Sequence, residues 1–256
     1  MVSVIADSHW LNARAQRWFV FSGVAAVPVM FLGLVLARVF PAHNATWTAD
    51  RIVQIYAGNS DVIQLGCLLM MIAFAFWGWW QAVISVWVWR IESPRYPVLT
   101  FATLILAAIN TMVVEIMSIM YAVAAFRAGR IDPEITLTLN DLAWFFYYYT
   151  WPPYVLWLIA IAVAILRDNR STPYFPRWLA WFTLAQVVTI LPNGLQTFSF
   201  GLVGPFAWDG FVTCVVVAGF HGVWTIVLAG YILKAISREE KGRGSVDQLR
   251  DFPTVV

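Results

Sequence analysis

Polar and ionisable side chains set inside long apolar runs are where this chain could do chemistry. A charged group at the centre of a membrane helix costs about 2.5–3.5 kcal/mol, so few are carried without a use. Glu115 is the deepest, within Asn110-Thr-Met-Val-Val-Glu-Ile-Met-Ser. Helical spacing places Ala108, Thr111, Glu115, Ser118 and Ala122 on one stripe, small and polar enough to face another helix or a cavity. A carboxyl at that depth suits a general acid acting on a lipophilic substrate. Asp61, Asp141 and Asp209 open the second, fourth and sixth apolar runs. They have two readings: N-caps that accept hydrogen bonds from free helix amides, or acids at the mouth of a cavity.

Accompanying side chains favour the cavity. Thr183, Gln186, Thr189, Asn193 and Gln196 recur along one broad face of the fifth run, and Asp61, Gln64, Gly78, Gln81 and Ser85 along the second. Asp141, Trp144, Tyr148 and Trp151 share a face of the fourth, followed by Pro152-Pro153, where a break would free carbonyls. The set expected to touch a bound molecule is therefore Asn110, Thr111, Ser118, Trp144, Tyr148, Trp151, Gln186, Asn193, Gln196 and Trp77, with Glu115, Asp61, Asp141 and Asp209 as the candidate catalytic acids. Interhelical hydrogen bonding explains parts of this pattern equally well.

Other chemistries lack their residues. A retinal Schiff base needs a mid-membrane lysine, and Lys234 sits beside Ser237 and Arg238 at the end of its run, where it snorkels to water. His9 and His43 lie outside the runs, so His221 alone offers no haem, copper or di-iron ligand set, and it is expected to hydrogen-bond between helices. Cys67 and Cys214 are expected to be packing residues. Neither a phosphate-binding glycine loop nor a nucleophile elbow is present. No cofactor and no metal are expected. A net charge of +2 gives no footprint for nucleic acid.

The elements that must position these groups are membrane helices. Of 256 residues, 61% are hydrophobic and 12% charged, against about 45–50% and about 25% in soluble domains, so a water-soluble globule is excluded. Six apolar runs, 18–39, 59–89, 97–126, 139–166, 176–198 and 206–236, are each long enough to cross about 30 Å of hydrocarbon. With no period-2 alternation, they predict an all-α polytopic transmembrane bundle of about six helices. It forms one domain over 1–236, followed by a flexible cytoplasmic tail, 237–256. Twelve basic residues fall on the side of the N-terminus, the 90–96 and 167–177 turns and the tail, and four on the other, which predicts both termini in the cytoplasm. Fourteen arginines against two lysines are expected of a GC-rich bacterial genome, which points to a bacterial inner membrane.

Aromatic residues make up 16% of the chain, including 15 tryptophans, and they divide in two. Trp18, Trp87, Trp89, Trp178, Trp181, Trp47 and Trp208 fall near predicted interfaces and account for an anchoring belt. Trp77, Trp79, Trp80, Tyr147, Tyr148, Tyr149 and Trp151 lie about 12 Å or more inside their helix ends, as core filling or as the wall of a pocket.

The segment Tyr174-Phe-Pro-Arg-Trp-Leu-Ala-Trp, with Gly204-Pro-Phe-Ala-Trp-Asp-Gly, resembles a family of sparsely annotated bacterial six-helix integral membrane proteins. The resemblance covers the last third of the chain. It implies six helices with both termini inside and implies no activity; Asn in place of Asp209 in that family implies that a carboxylate there is not required.

Three functions stay open on these residues: an isomerase or terpenoid-cyclase-like enzyme using a buried acid, a proton-coupled transporter or ligand-binding protein, and a non-catalytic subunit of a membrane complex. The expected partners are lipid or a lipophilic small molecule and the membrane itself, with homo- or hetero-oligomers open.

Overall fold

The computed structural model describes residues 3–92, 96–197 and 203–250, with side chains for 12–92, 96–194 and 203–241. These residues contain helices and no strands. The order is α1 (Ser3–Leu36), a short α2 (Ala49–Ala57), α3 (Ser60–Ile91), α4 (Val98–Arg127), α5 (Pro133–Tyr149), α6 (Trp151–Leu166), α7 (Arg177–Ile190) and α8 (Ala218–Arg250). A 3-10 segment, Leu191–Thr197, follows α7, and a π-helical turn, Val212–Val217, leads into α8. Five segments are long and apolar enough to cross a membrane: Asn12–Leu36, Ser60–Ile91, Val98–Arg127, Pro133–Leu166 and Val212–Lys241.

Three elements differ from the sequence expectation. The fifth run is not one long α-helix: α7 has 14 residues and tightens into the 3-10 segment at Leu191. Pro192 lacks an amide hydrogen and Gly194 weakens a helix interior, so the regular ladder stops there. The fourth run starts earlier than 139, at Pro133. Asp132 caps it by accepting from the Glu134 amide at 2.9 Å, and Asp141 therefore lies within the helix rather than at its start. That run then breaks between α5 and α6 at Thr150, ahead of Pro152-Pro153. Pro152 and Pro153 leave the Tyr148 and Tyr149 carbonyls without their usual amides; that of Tyr148 accepts from the Thr150 amide instead, while the Thr150 hydroxyl lies 2.6 Å from the Phe146 carbonyl. The helical backbone also continues past 237 to Arg250.

Packing runs in a closed circuit: α1 on α3, α3 on α4, α4 on α6, α6 on α7, α7 on α8 and α8 back on α1, with α3 also touching α6. Lipid tails are as apolar as leucine, so helices associate in membranes by close van der Waals packing, which small residues permit. The α1–α3 seam shows this. A Cβ on Gly66 would lie 2.2 Å from the Ala37 nitrogen, and one on Gly23 would lie 2.4 Å from the Trp80 ring. Two cores result, one around Trp80, Trp87, Trp157 and Trp224, the other around Tyr56, Tyr121, Trp144 and Trp208.

Polar contacts gather at opposite ends of the bundle. At one end, Arg17 of α1 pairs with Glu240 of α8, Arg90 of α3 pairs with Glu239, and the Tyr174 hydroxyl donates to Glu239 at 2.9 Å. Asp168, buried in the turn after α6, accepts from the Tyr174 amide at 3.0 Å and pairs with Arg170 at 3.4 Å. At the other end, Trp208 Nε1 donates to the His43 carbonyl at 2.6 Å, and Asn44 donates to Asp209 at 2.7 Å.

Candidate functional site

The predicted catalytic acids do not converge. Glu115 is half-buried, with no hydrogen bond or ion pair to a described residue, and exposed Ala108, Met112 and Ile119 flank it on α4, so it borders the outer surface of the bundle. Asp61 is exposed in the first turn of α3 and caps nothing, since the α3 N-cap is Asn59 without a side-chain bond. Asp209 tethers the loop before α8 through Asn44. Of the expected contact residues on α4, Thr111 donates to Gln81 of α3 at 2.7 Å, Ser118 donates to the Val114 carbonyl at 2.8 Å, and Asn110 is buried with its Nδ2 unpartnered among the described residues. The side chain of Gln196 lies outside the described residues.

Asp141, Trp144 and Tyr148 do come together, in a packed cap. Asn140 is its hub: its Oδ1 lies 2.9 Å from His43 Nδ1 and accepts from the Tyr56 hydroxyl at 2.9 Å, while its Nδ2 donates to Asp141 at 3.1 Å. Trp144 stacks on Tyr148 at 5.6 Å and on Trp208 at 6.5 Å. Burial pushes the His43 imidazole below its ordinary value, against the pull of Asn140, the Arg38 carbonyl and Asp141. These contacts hold the 37–48 and 204–210 loops over the helix ends.

The groups most suited to chemistry lie deeper, where α3, α6, α7 and α8 meet. His221 of α8 presents Nδ1 to the Tyr154 hydroxyl of α6, a short contact, and to Gln186 Nε2 of α7 at 2.8 Å. Gln186 Nε2 also donates to the Tyr154 oxygen at 2.7 Å. With two donors directed at it, Nδ1 is the acceptor and the imidazole carries its proton on Nε2. The ring is walled by Trp77 at 5.1 Å, Tyr154 at 5.6 Å and Trp224 at 5.8 Å, the last held by an indole hydrogen bond of 2.9 Å to Thr183. His221 lies nine residues past Val212, about 14 Å along its helix and close to mid-membrane.

Two features make this cluster more than core filling. His221 and Tyr154 are only half-buried. Buried acceptors are also unpartnered among the described residues: Gln186 Oε1 and, seven residues on and thus on the same helical side, Asn193 Oδ1. Trp151 packs beside this stretch, 3.5 Å from where a Cβ on Gly194 would sit.

The sequence singled out Gln186, Asn193, Trp77 and Trp151 from this region but not Tyr154 or Trp224; the expected interhelical hydrogen bonding of His221 is present, to Tyr154 and Gln186. The ring spacings Tyr154–Trp157 and His221–Trp224, both i, i+3, were the available signal, confirmed here by contacts of 5.8 Å in each pair. No family model matches the chain, and no curated protein or solved structure matches it.

Proposed function

We propose that this is a membrane-embedded enzyme of the isomerase or cyclase type, which transfers a proton to or from a lipophilic substrate, and that His221 rather than Glu115 handles the proton. The observation that carries the reading is half-buried His221, its ring fixed at Nδ1 by Tyr154 and Gln186 and walled by tryptophans. Tyr154 and Gln186 set the tautomer, leaving Nε2–H to meet the substrate. The faces of Trp77 and Trp224 favour positive charge developing beside them. The acceptors on Gln186 and Asn193, unpartnered among the described residues, suit a substrate bearing a hydroxyl.

The experiment needs no prior substrate. Purified protein is incubated with a lipid extract in D2O, and the lipids are searched by mass spectrometry for deuterium that survives back-exchange, hence bound to carbon. Wild type labels at least one species, and Tyr154→Phe and His221→Gln lower that labelling by about 10²-fold or more. Equal labelling by all three proteins refutes the reading.

One observation favours a second reading, a subunit that packs laterally through α4: the half-buried, unpartnered Glu115 at membrane depth. Migration of the purified chain as a monomer, unchanged by Glu115→Gln, counts against it.

We further propose six crossings with both termini on the cytoplasmic face of a bacterial inner membrane. The Arg17–Glu240 pair supports this, because it joins the start of the first apolar segment to the end of the last and so requires an even number of crossings. Five long segments then need α7 with its 3-10 extension as the sixth. At about 1.5 and 2.0 Å per residue these reach about 35 Å if collinear, enough for the hydrocarbon core.

A further inference from the structure

The turn before α7 and the middle turns of α8 enclose an open groove of about 330 Å³ at the basic end of the bundle, remote from His221. Arg177, Lys234 and Arg238 line it, together with Tyr174, Phe175 and Tyr231. The three cations lack acidic partners among the described residues: Glu239 and Glu240 are engaged by Arg90 and Arg17, and Asp168 by Arg170. Among the described residues Arg238 donates once, to the Pro173 carbonyl at 3.1 Å, and Lys234 Nζ lies 5.2 Å from the Tyr231 ring centre. The same level carries Trp178 and Trp181, 48% and 63% exposed, the pattern of an interfacial aromatic belt.

From this we infer that the groove binds the phosphodiester headgroup of an anionic phospholipid from the cytoplasmic leaflet. Three uncompensated cations at headgroup depth attract a negatively charged lipid over a zwitterionic one. The apolar floor formed by Phe175 and Ala235 accommodates the glycerol and the first methylenes of the acyl chains. Each cation contributes about a fivefold preference, and the three together about a hundredfold.

Native mass spectrometry of the full chain in detergent tests this, with phosphatidylglycerol, phosphatidylcholine and inorganic phosphate offered separately. Wild type retains phosphatidylglycerol well over phosphatidylcholine. Arg177→Gln/Lys234→Gln/Arg238→Gln loses that preference, and Lys234→Gln alone weakens it about fivefold should the triple variant fail to fold. Arg127→Gln/Arg130→Gln, at the opposite end, keeps it. Equal retention of the two lipids by wild type, an undiminished preference in the triple variant (or in Lys234→Gln, if only that folds), or binding of inorganic phosphate as tight as that of the lipid overturns the inference.

Discussion

Replacing Gln186 by methionine should leave the protein as stable as wild type or more so, although it deletes a buried polar side chain with two hydrogen bonds. Gln186 Nε2 contacts His221 Nδ1 at 2.8 Å and the Tyr154 oxygen at 2.7 Å, while its Oε1 is buried without a described partner. Interhelical hydrogen bonds in membranes average about 0.6 kcal/mol, so the two together contribute about 1.2 kcal/mol. An unsatisfied buried acceptor costs about 1–3 kcal/mol, and methionine removes it while filling nearly the same space. The net effect runs from about zero to about 2 kcal/mol of stabilisation. Tyr154→Phe differs, because it deletes a hydroxyl that makes both of its bonds and creates no relief, costing about 1 kcal/mol. Reversible unfolding in mixed micelles, followed by tryptophan fluorescence, should rank Gln186→Met at or above wild type and Tyr154→Phe below both. If Gln186→Met is the less stable of the two variants, Oε1 is satisfied in the protein and the case for it as a substrate contact falls with it.

Three other perturbations test the frame around this site. Gly66→Val forces side-chain atoms to within 2.2 Å of the Ala37 backbone and should cost at least about 1–3 kcal/mol in the same unfolding assay, whereas Gly230→Ala, with open space around it, should be close to neutral. Asp168→Ala removes a buried carboxylate that holds the Arg170 and Tyr174 amides at 3.3 and 3.0 Å, and should lower stability by about 2–3 kcal/mol, with the 167–176 turn opening first to proteolysis. His43 has its folded value pushed below the ordinary 6.5, so the unfolded chain binds its proton first: the stability it confers is complete above 6.5 and is lost as pH falls from there through the lowered value. Hydrogen-exchange protection of the 37–48 loop, taken relative to the intrinsic exchange rate at each pH, should therefore fall on acidification in wild type and less so in His43→Gln; rising protection instead means that the two acceptors facing the ring outweigh its burial.

The membrane helices were legible from hydropathy because lipid leaves the backbone no alternative, and α3 and α4 agree with the sequence to within about two residues. Local backbone chemistry was harder to read. Asp132-Pro133 starts α5 ahead of the apolar run, so Asp141 changes from a helix opener to a partner of Asn140, and Pro192 turns the fifth run into a short α-helix with a 3-10 end. In the site, periodicity found Gln186 because it lies on a recognisable stripe, and Trp77 was found by its depth inside its helix. It could not find the meeting of Tyr154 and His221, which are 67 positions apart and joined only by the packing of α6 against α7 and α8. Glu115 marks what depth alone leaves open: position along a helix gives its level in the membrane, but only helix packing decides which way it faces, and here it borders the outer surface of the bundle.

Deuterium incorporation from D2O into carbon positions of the labelled lipid, compared between Glu115→Gln and His221→Gln, separates the two candidates in one measurement. The structure-based reading predicts near wild-type labelling by Glu115→Gln and loss of labelling by His221→Gln; the reverse pattern contradicts it and returns the chemistry to the α4 carboxyl.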